Sequence, residues 1–215
     1  MKNEVTRNYS ISDSDMIQLS RRILAFLQRD LLFFQSYGYT PITVSSYKLR
    51  IDNFSNMPTD LELLGDQEGA TSDKTILRNM LLNKLRNMRE RVKLIFEEGS
   101  GRYNKFGFAG LSSISDNDLV QAALRAVRCG HQYQVMFANV GIDIAYLDDV
   151  RSVADDYQDT LLTQVTTMSD RDIATEDRRE AGNVLYAEVV KHAEIGKTIW
   201  SNIDEAKYND YVIYN

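Results

Sequence analysis

The chain has 215 residues, 43% of them hydrophobic and 26% charged, so it can bury a real core and does not have the composition of a disordered tail. A net charge of −6 argues against general nucleic-acid binding, one cysteine (Cys129) excludes an intramolecular disulfide framework, and only two prolines favour long helices. The stretch from Met1 to Ser14 has no apolar signal core, and the longest strongly apolar run, Leu31-Leu32-Phe33-Phe34, is far too short to span a bilayer.

In chain order, a first helix, A, is expected from about Asp13 to Tyr37. Ser12 and Asp15 resemble a capping box with Asp in place of Glu, and Gly38 suits the left-handed position that ends a helix. Ile17, Leu24, Leu27, Leu31 and Phe34 run down one face, and Phe26, Phe33 and Tyr37 down another, as in a central helix of a bundle. Helix B follows from about Pro41 to Asn56, with proline in the tolerated first turn. Helix C spans about Ser72 to Glu97, capped by Thr71 or Ser72, with a core stripe through Leu77, Leu81, Leu85, Met88, Val92 and Ile95.

Residues 99–113 form a glycine-rich aromatic connector holding four of the eleven glycines. A second A helix then starts at Ser115, and Gly141 stands where Gly38 stood. The second B helix is expected from about Asp143 to Met168, and the second C helix from about Thr175 to Ser201, with Thr175 as its cap. Its stripe is Ala181, Leu185, Val189, His192, Gly196 and Ile199. Gly196 and Gly130 would allow close approach of neighbouring helices. The tail Tyr211-Val212-Ile213-Tyr214 is the best short β-like run.

These elements recur. Ile11-Ser12-Asp13-Ser14-Asp15 returns as Ile114-Ser115-Asp116-Asn117-Asp118, and the same offset gives nine identities over residues 11–54, against about three by chance. One residue of slip later, Asp73 meets Asp177, Leu81 meets Leu185 and Ile95 meets Ile199. After one more, Tyr103-Asn104-Lys105-Phe106 meets Tyr208-Asn209-Asp210-Tyr211. The expected architecture is therefore all-α: a duplicated three-helix unit, residues 11–106 and 114–215, whose six main helices pack as one elongated bundle.

The chemical motifs are weak beside their structural alternatives. Gly196-Lys197-Thr198 resembles the end of a phosphate-binding loop, but Lys191 stands where the motif needs glycine and the segment lies in a helix. Glu188 and His192 are one turn apart, yet His192 falls on a core stripe at the place of Met88, and the di-iron spacing of Glu-x-x-His is missing. The acidic starts at Asp13 and Asp116 lack the glycine and closing glutamate of a calcium loop, so capping explains them. Cys129 sits at an apolar position without an activating partner. No cofactor and no catalytic group are expected.

Charge is distributed unevenly: residues 1–110 carry a net +3 and residues 111–215 a net −9. The expected function is that of a non-enzymatic structural or interaction protein, cytoplasmic, with no nucleic-acid or membrane partner. It would self-associate, or meet another protein, with Arg86, Arg89 and Arg91 facing Asp148, Asp149 and Asp156 and with Tyr211 and Tyr214 of the tail at the interface. Packing of the tail on its own third helix is the favoured fate, and docking on a neighbour is the alternative. The alternative function is a small apolar ligand held between helices, lined by Phe26, Phe33, Phe34, Met80 and Met88.

Overall fold

A computed structural model describes residues 5–213. It is 79% helical, an all-α bundle with no strand among the described residues. In chain order the helices are α1 (Asp13–Arg29), α2 (Leu31–Phe34), α3 (Pro41–Asn56), α4 (Asp60–Lys93), α5 (Gly101–Asn104), α6 (Asp116–Gln132), α7 (Gln134–Phe137), α8 (Ile144–Trp200) and α9 (Glu205–Asp210). Among the described residues, no helix is long and apolar enough to cross a membrane.

The helix starts follow local chemistry. Ser12 accepts from the Asp15 amide at 3.1 Å and Ser115 from the Asp118 amide at 3.2 Å, each satisfying an orphan N–H of the first turn. The two acids do not close a capping box onto the backbone. Each instead accepts the serine hydroxyl, at 2.6 and 2.7 Å. Thr40 and Thr43 form the full reciprocal box ahead of Pro41. Gly38 and Gly141 lie at φ 81° and 73°, the left-handed stops expected of them.

Four expectations need correction. The first A helix is broken at Asp30, and the second at Tyr133. The expected caps Thr71, Ser72 and Thr175 lie inside helices: α4 begins at Asp60, two residues after Pro58, and Thr71 bonds back to the Gln67 carbonyl at 2.9 Å. The second B and C helices are one helix of 57 residues, α8. The reason is in the sequence between 168 and 175, which holds neither proline nor glycine, so cap-forming side chains alone do not stop the helix. The β-like tail is likewise no strand; α9 ends in a turn at Tyr211, and Tyr214 lies outside the described residues.

The chain forms two compact units. Unit 1 joins the residues up to Asp60 with those from Asp172 onward, and unit 2 runs from Leu61 to Arg171. These are not the expected segments 11–106 and 114–215. A helix that continues through 144–200 cannot double back at 170, so residues 181–200 pack with α1 and α3 rather than with α6. In unit 1 the core gathers Met16, Ile23, Leu27, Tyr47, Leu185 and Val189; in unit 2 it gathers Leu81, Leu85, Met88, Leu119, Ala123 and Leu147. An ion pair ties each unit together: Asp13 binds Arg178 at 2.7 Å in unit 1, and Asp116 binds Lys74 at 2.8 Å in unit 2.

Gly130 allows close approach of a neighbouring helix, as expected, whereas the space at Gly196 is filled by a side-chain ring and not by a packed helix. A methyl group on Gly130 would collide with Leu147 and touch Met88, and one on Gly196 would enter the Tyr211 ring.

Candidate functional site

In unit 2, α4 and α8 run antiparallel, and their opposite charges meet inside one chain. Lys84 pairs with Asp149, and Asp116 accepts from Arg78 at 3.0 Å and from the Tyr157 hydroxyl at 2.7 Å. Hydrogen bonds from Lys74, Tyr157 and Arg78 outweigh the effect of burial and hold the Asp116 carboxyl down at about 2.

The residues expected at an interface are divided by this arrangement. Arg91 donates to the Gly141 carbonyl at 2.6 Å and lies over the Tyr146 ring at 4.8 Å, so it is committed within its unit. Arg89 pairs with its neighbour Glu90 at 2.8 Å, and Asp149 is taken by Lys84. Arg86, Asp148 and Asp156 remain exposed, and the two acids have no side-chain partner among the described residues.

Tyr211 is fully buried in unit 1. It sits on Gly196, 5.8 Å from both Phe26 and Phe34, and its hydroxyl donates to Asp30 at 3.0 Å. Tyr211 therefore packs on its own chain, the fate favoured for the tail, and is not available to an interface. Phe106 plays the matched part in unit 2, 5.7 Å from Phe137.

Away from its α6 end, unit 2 thins to two helices. No residue of 61–73 or of 158–171 is buried. The seam between them runs through Leu63, Leu64, Gln67, Ala70, Leu161, Gln164 and Arg171, which are only half-buried. Polar contacts cross it, Arg171 to Gln67 at 2.7 Å and Gln164 to Thr71 at 3.3 Å. The outward faces carry Leu61, Ile76, Met80, Leu162, Val165 and Met168, all exposed; Leu61 is 79% and Leu162 65% open. Sequence reading missed this surface because the same apolar residues fit a buried stripe equally well.

The apolar residues proposed as a ligand lining do not converge. Phe26, Phe33 and Phe34 belong to unit 1, whereas Met88 is in the unit 2 core and Met80 is exposed. Gly196-Lys197-Thr198 is a helical segment with Lys197 on Glu194 at 2.7 Å. Cys129 is half-buried, its thiol pushed up by burial. Among the described residues, no group of three or more His, Cys, Asp or Glu could hold a metal ion.

His192 is more deeply buried than a half-exposed stripe residue. Its Nδ1 shares a 2.7 Å hydrogen bond with the Tyr39 hydroxyl, and Tyr47 packs edge-on at 4.5 Å. Burial pushes its imidazole down to about 4, with the charges of Lys191 and Arg50 adding to the effect.

The unfolded chain therefore takes up this proton near pH 6.5 and the folded chain only near 4. The stability contributed by neutral His192 is fully present above 6.5 and is lost as pH falls through 4, a total of about 3 kcal/mol. Glu188, raised chiefly by burial, runs the opposite way and is common to both proteins in a comparison. His192→Met should flatten the wild-type fall in stability between pH 6.5 and 4, measured from urea midpoints. An unchanged slope would assign the acid sensitivity elsewhere.

No family model matches the chain, and neither do curated proteins or solved structures.

Proposed function

We propose that this is a non-enzymatic, cytoplasmic interaction protein, without nucleic-acid or membrane partners, that self-associates. The observation supporting this reading is the two-helix stretch of unit 2, with no buried residue in either helical segment and apolar side chains on its outer faces. Helices gain most of their stability from packing an apolar face, and a pair with a half-polar seam has little to pack. A second copy laid across it completes a four-helix arrangement that covers Leu61, Leu162 and Val165.

Sedimentation over a concentration series tests this. Wild type should show a mass that rises with concentration, and Leu162→Lys with Val165→Lys should shift the midpoint at least tenfold. Exposed acids such as Asp66 and Asp159 flank the apolar contact, so the association should persist or tighten as the screening length falls from about 10 Å at 0.1 M salt to about 3 Å at 1 M. Dissociation by salt would move the contact to the charged surface of Arg86, Asp148 and Asp156. A monomer under every condition would remove self-association.

A further inference from the structure

Unit 1 holds a groove of about 320 Å³ between the C-terminal end of α3 and residues 177–185 of α8. Its volume falls at the lower end of the range for small-molecule sites, roughly 300–1,000 Å³. The floor is apolar: Phe54 and Met57 from α3 and its end, and Ala181, Val184 and Leu185 from α8. Ala181 brings only a methyl group to this wall, which leaves the space open.

The polar rim consists of Arg50, Asn53, Asp177 and Glu180. Arg50 is neutralised by Glu188, Nη1 to Oε1 at 3.1 Å. Arg178, next in sequence to Asp177, spends its charge on Asp13 at 2.7 Å and lies over the Phe54 ring at 4.7 Å. Asp177 and Glu180 are exposed and have no side-chain partner among the described residues. One turn beyond Val184, the second carboxylate oxygen of Glu188 is buried and also lacks a partner among the described residues. The groove thus combines an apolar floor with two negative charges that have no side-chain partner among the described residues.

We propose that this groove binds a small organic cation, an ammonium group on an aromatic or aliphatic body, with the body on Phe54, Ala181 and Val184 and the charge between Asp177 and Glu180. The site lies wholly in unit 1 and does not depend on the self-association proposed for unit 2. An anion would have to displace Glu188 from Arg50 and approach two carboxylates of its own sign. A neutral apolar molecule would gain nothing from the rim.

The test is an amide NMR titration at pH 7 with three probes of similar shape: 2-phenylethylammonium, 3-phenylpropionate and 2-phenylethanol. The ammonium probe should shift residues 53–57 and 177–185 saturably, with a Kd at least tenfold below those of the other two. Asp177→Asn with Glu180→Gln should raise that Kd at least fivefold at unchanged helical ellipticity, since both positions are exposed. Ala181→Phe should fill the groove and abolish binding. Equal or tighter binding of the carboxylate or the alcohol, or no saturable shift at these residues, overturns the proposal. Should Ala181→Phe unfold the protein, the probe series and the charge variant still decide it.

Discussion

Gly196→Ala is expected to lower the stability of unit 1 by about 2 kcal/mol, although alanine is the better helix former by about 1 kcal/mol. The new methyl group would enter the Tyr211 ring, which has no room to retreat: Phe26 and Phe34 flank it, and its hydroxyl is tied to Asp30. Gly196→Val should cost more. The controls are Gly65→Ala and Gly69→Ala in α4, where an added methyl meets nothing within 4 Å, so propensity alone should stabilise by up to about 1 kcal/mol each. Trp200, the single tryptophan, is buried in unit 1 and reports its unfolding by fluorescence in urea, while far-UV ellipticity reads the α4 controls of unit 2. A stabilised Gly196→Ala would mean that Tyr211 does not rest on α8.

Asp30→Ala should be of similar size, a loss of about 3 kcal/mol. Asp30 interrupts the first A helix while its carboxylate is buried, accepting from Arg29 at 2.7 Å and from Tyr211 at 3.0 Å, with Lys207 at 3.7 Å. Burial alone would raise this carboxyl; the hydrogen bonds from Arg29 and Tyr211 and the charges of Arg29 and Lys207 outweigh it and hold it below the ordinary carboxylate value. Its contribution is present above the unfolded value of 3.8 and is lost as pH falls through the lower folded value, a window more acidic than that of His192. Asp30→Asn keeps an acceptor for Tyr211 and should lose less. If Asp30→Ala melts within about 0.5 kcal/mol of wild type, the cluster contributes nothing net.

Caps and stripes were legible because they depend on residues three or four apart. Ser12, Ser115, Gly38 and Gly141 act where expected, and Leu81, Leu85, Met88, Leu185 and Val189 are buried on the faces assigned to them. Helix continuity was harder to read. Thr175 has the chemistry of a cap, but capping is permissive, and with no breaker nearby the helix runs on. The partnership of α1 with the far end of α8 was not legible, because a periodic stripe states that a face is covered and not by what. Asp30 did leave a trace: an acid in register with Leu27 and Phe34 on a buried face demands a cation and a donor, and Arg29 and Tyr211 supply them. The groove beside Phe54 left none, since an alanine at 181 is also an ordinary helix former.

The division into one discontinuous and one continuous unit has a consequence for the order in which the chain matures on the ribosome. Unit 2 is one continuous stretch, 61–171, and has all its partners as soon as Arg171 has emerged. Unit 1 is discontinuous, so α1 and α3 leave the ribosome first yet must wait for Leu185, Val189 and Tyr211 at the other end. At about 5–20 residues per second, the intervening stretch takes on the order of ten seconds to synthesise. Throughout that time Ile23, Leu27, Tyr47 and Phe54 have only each other for cover, so the earliest part of the chain to be made is among the last to be finished.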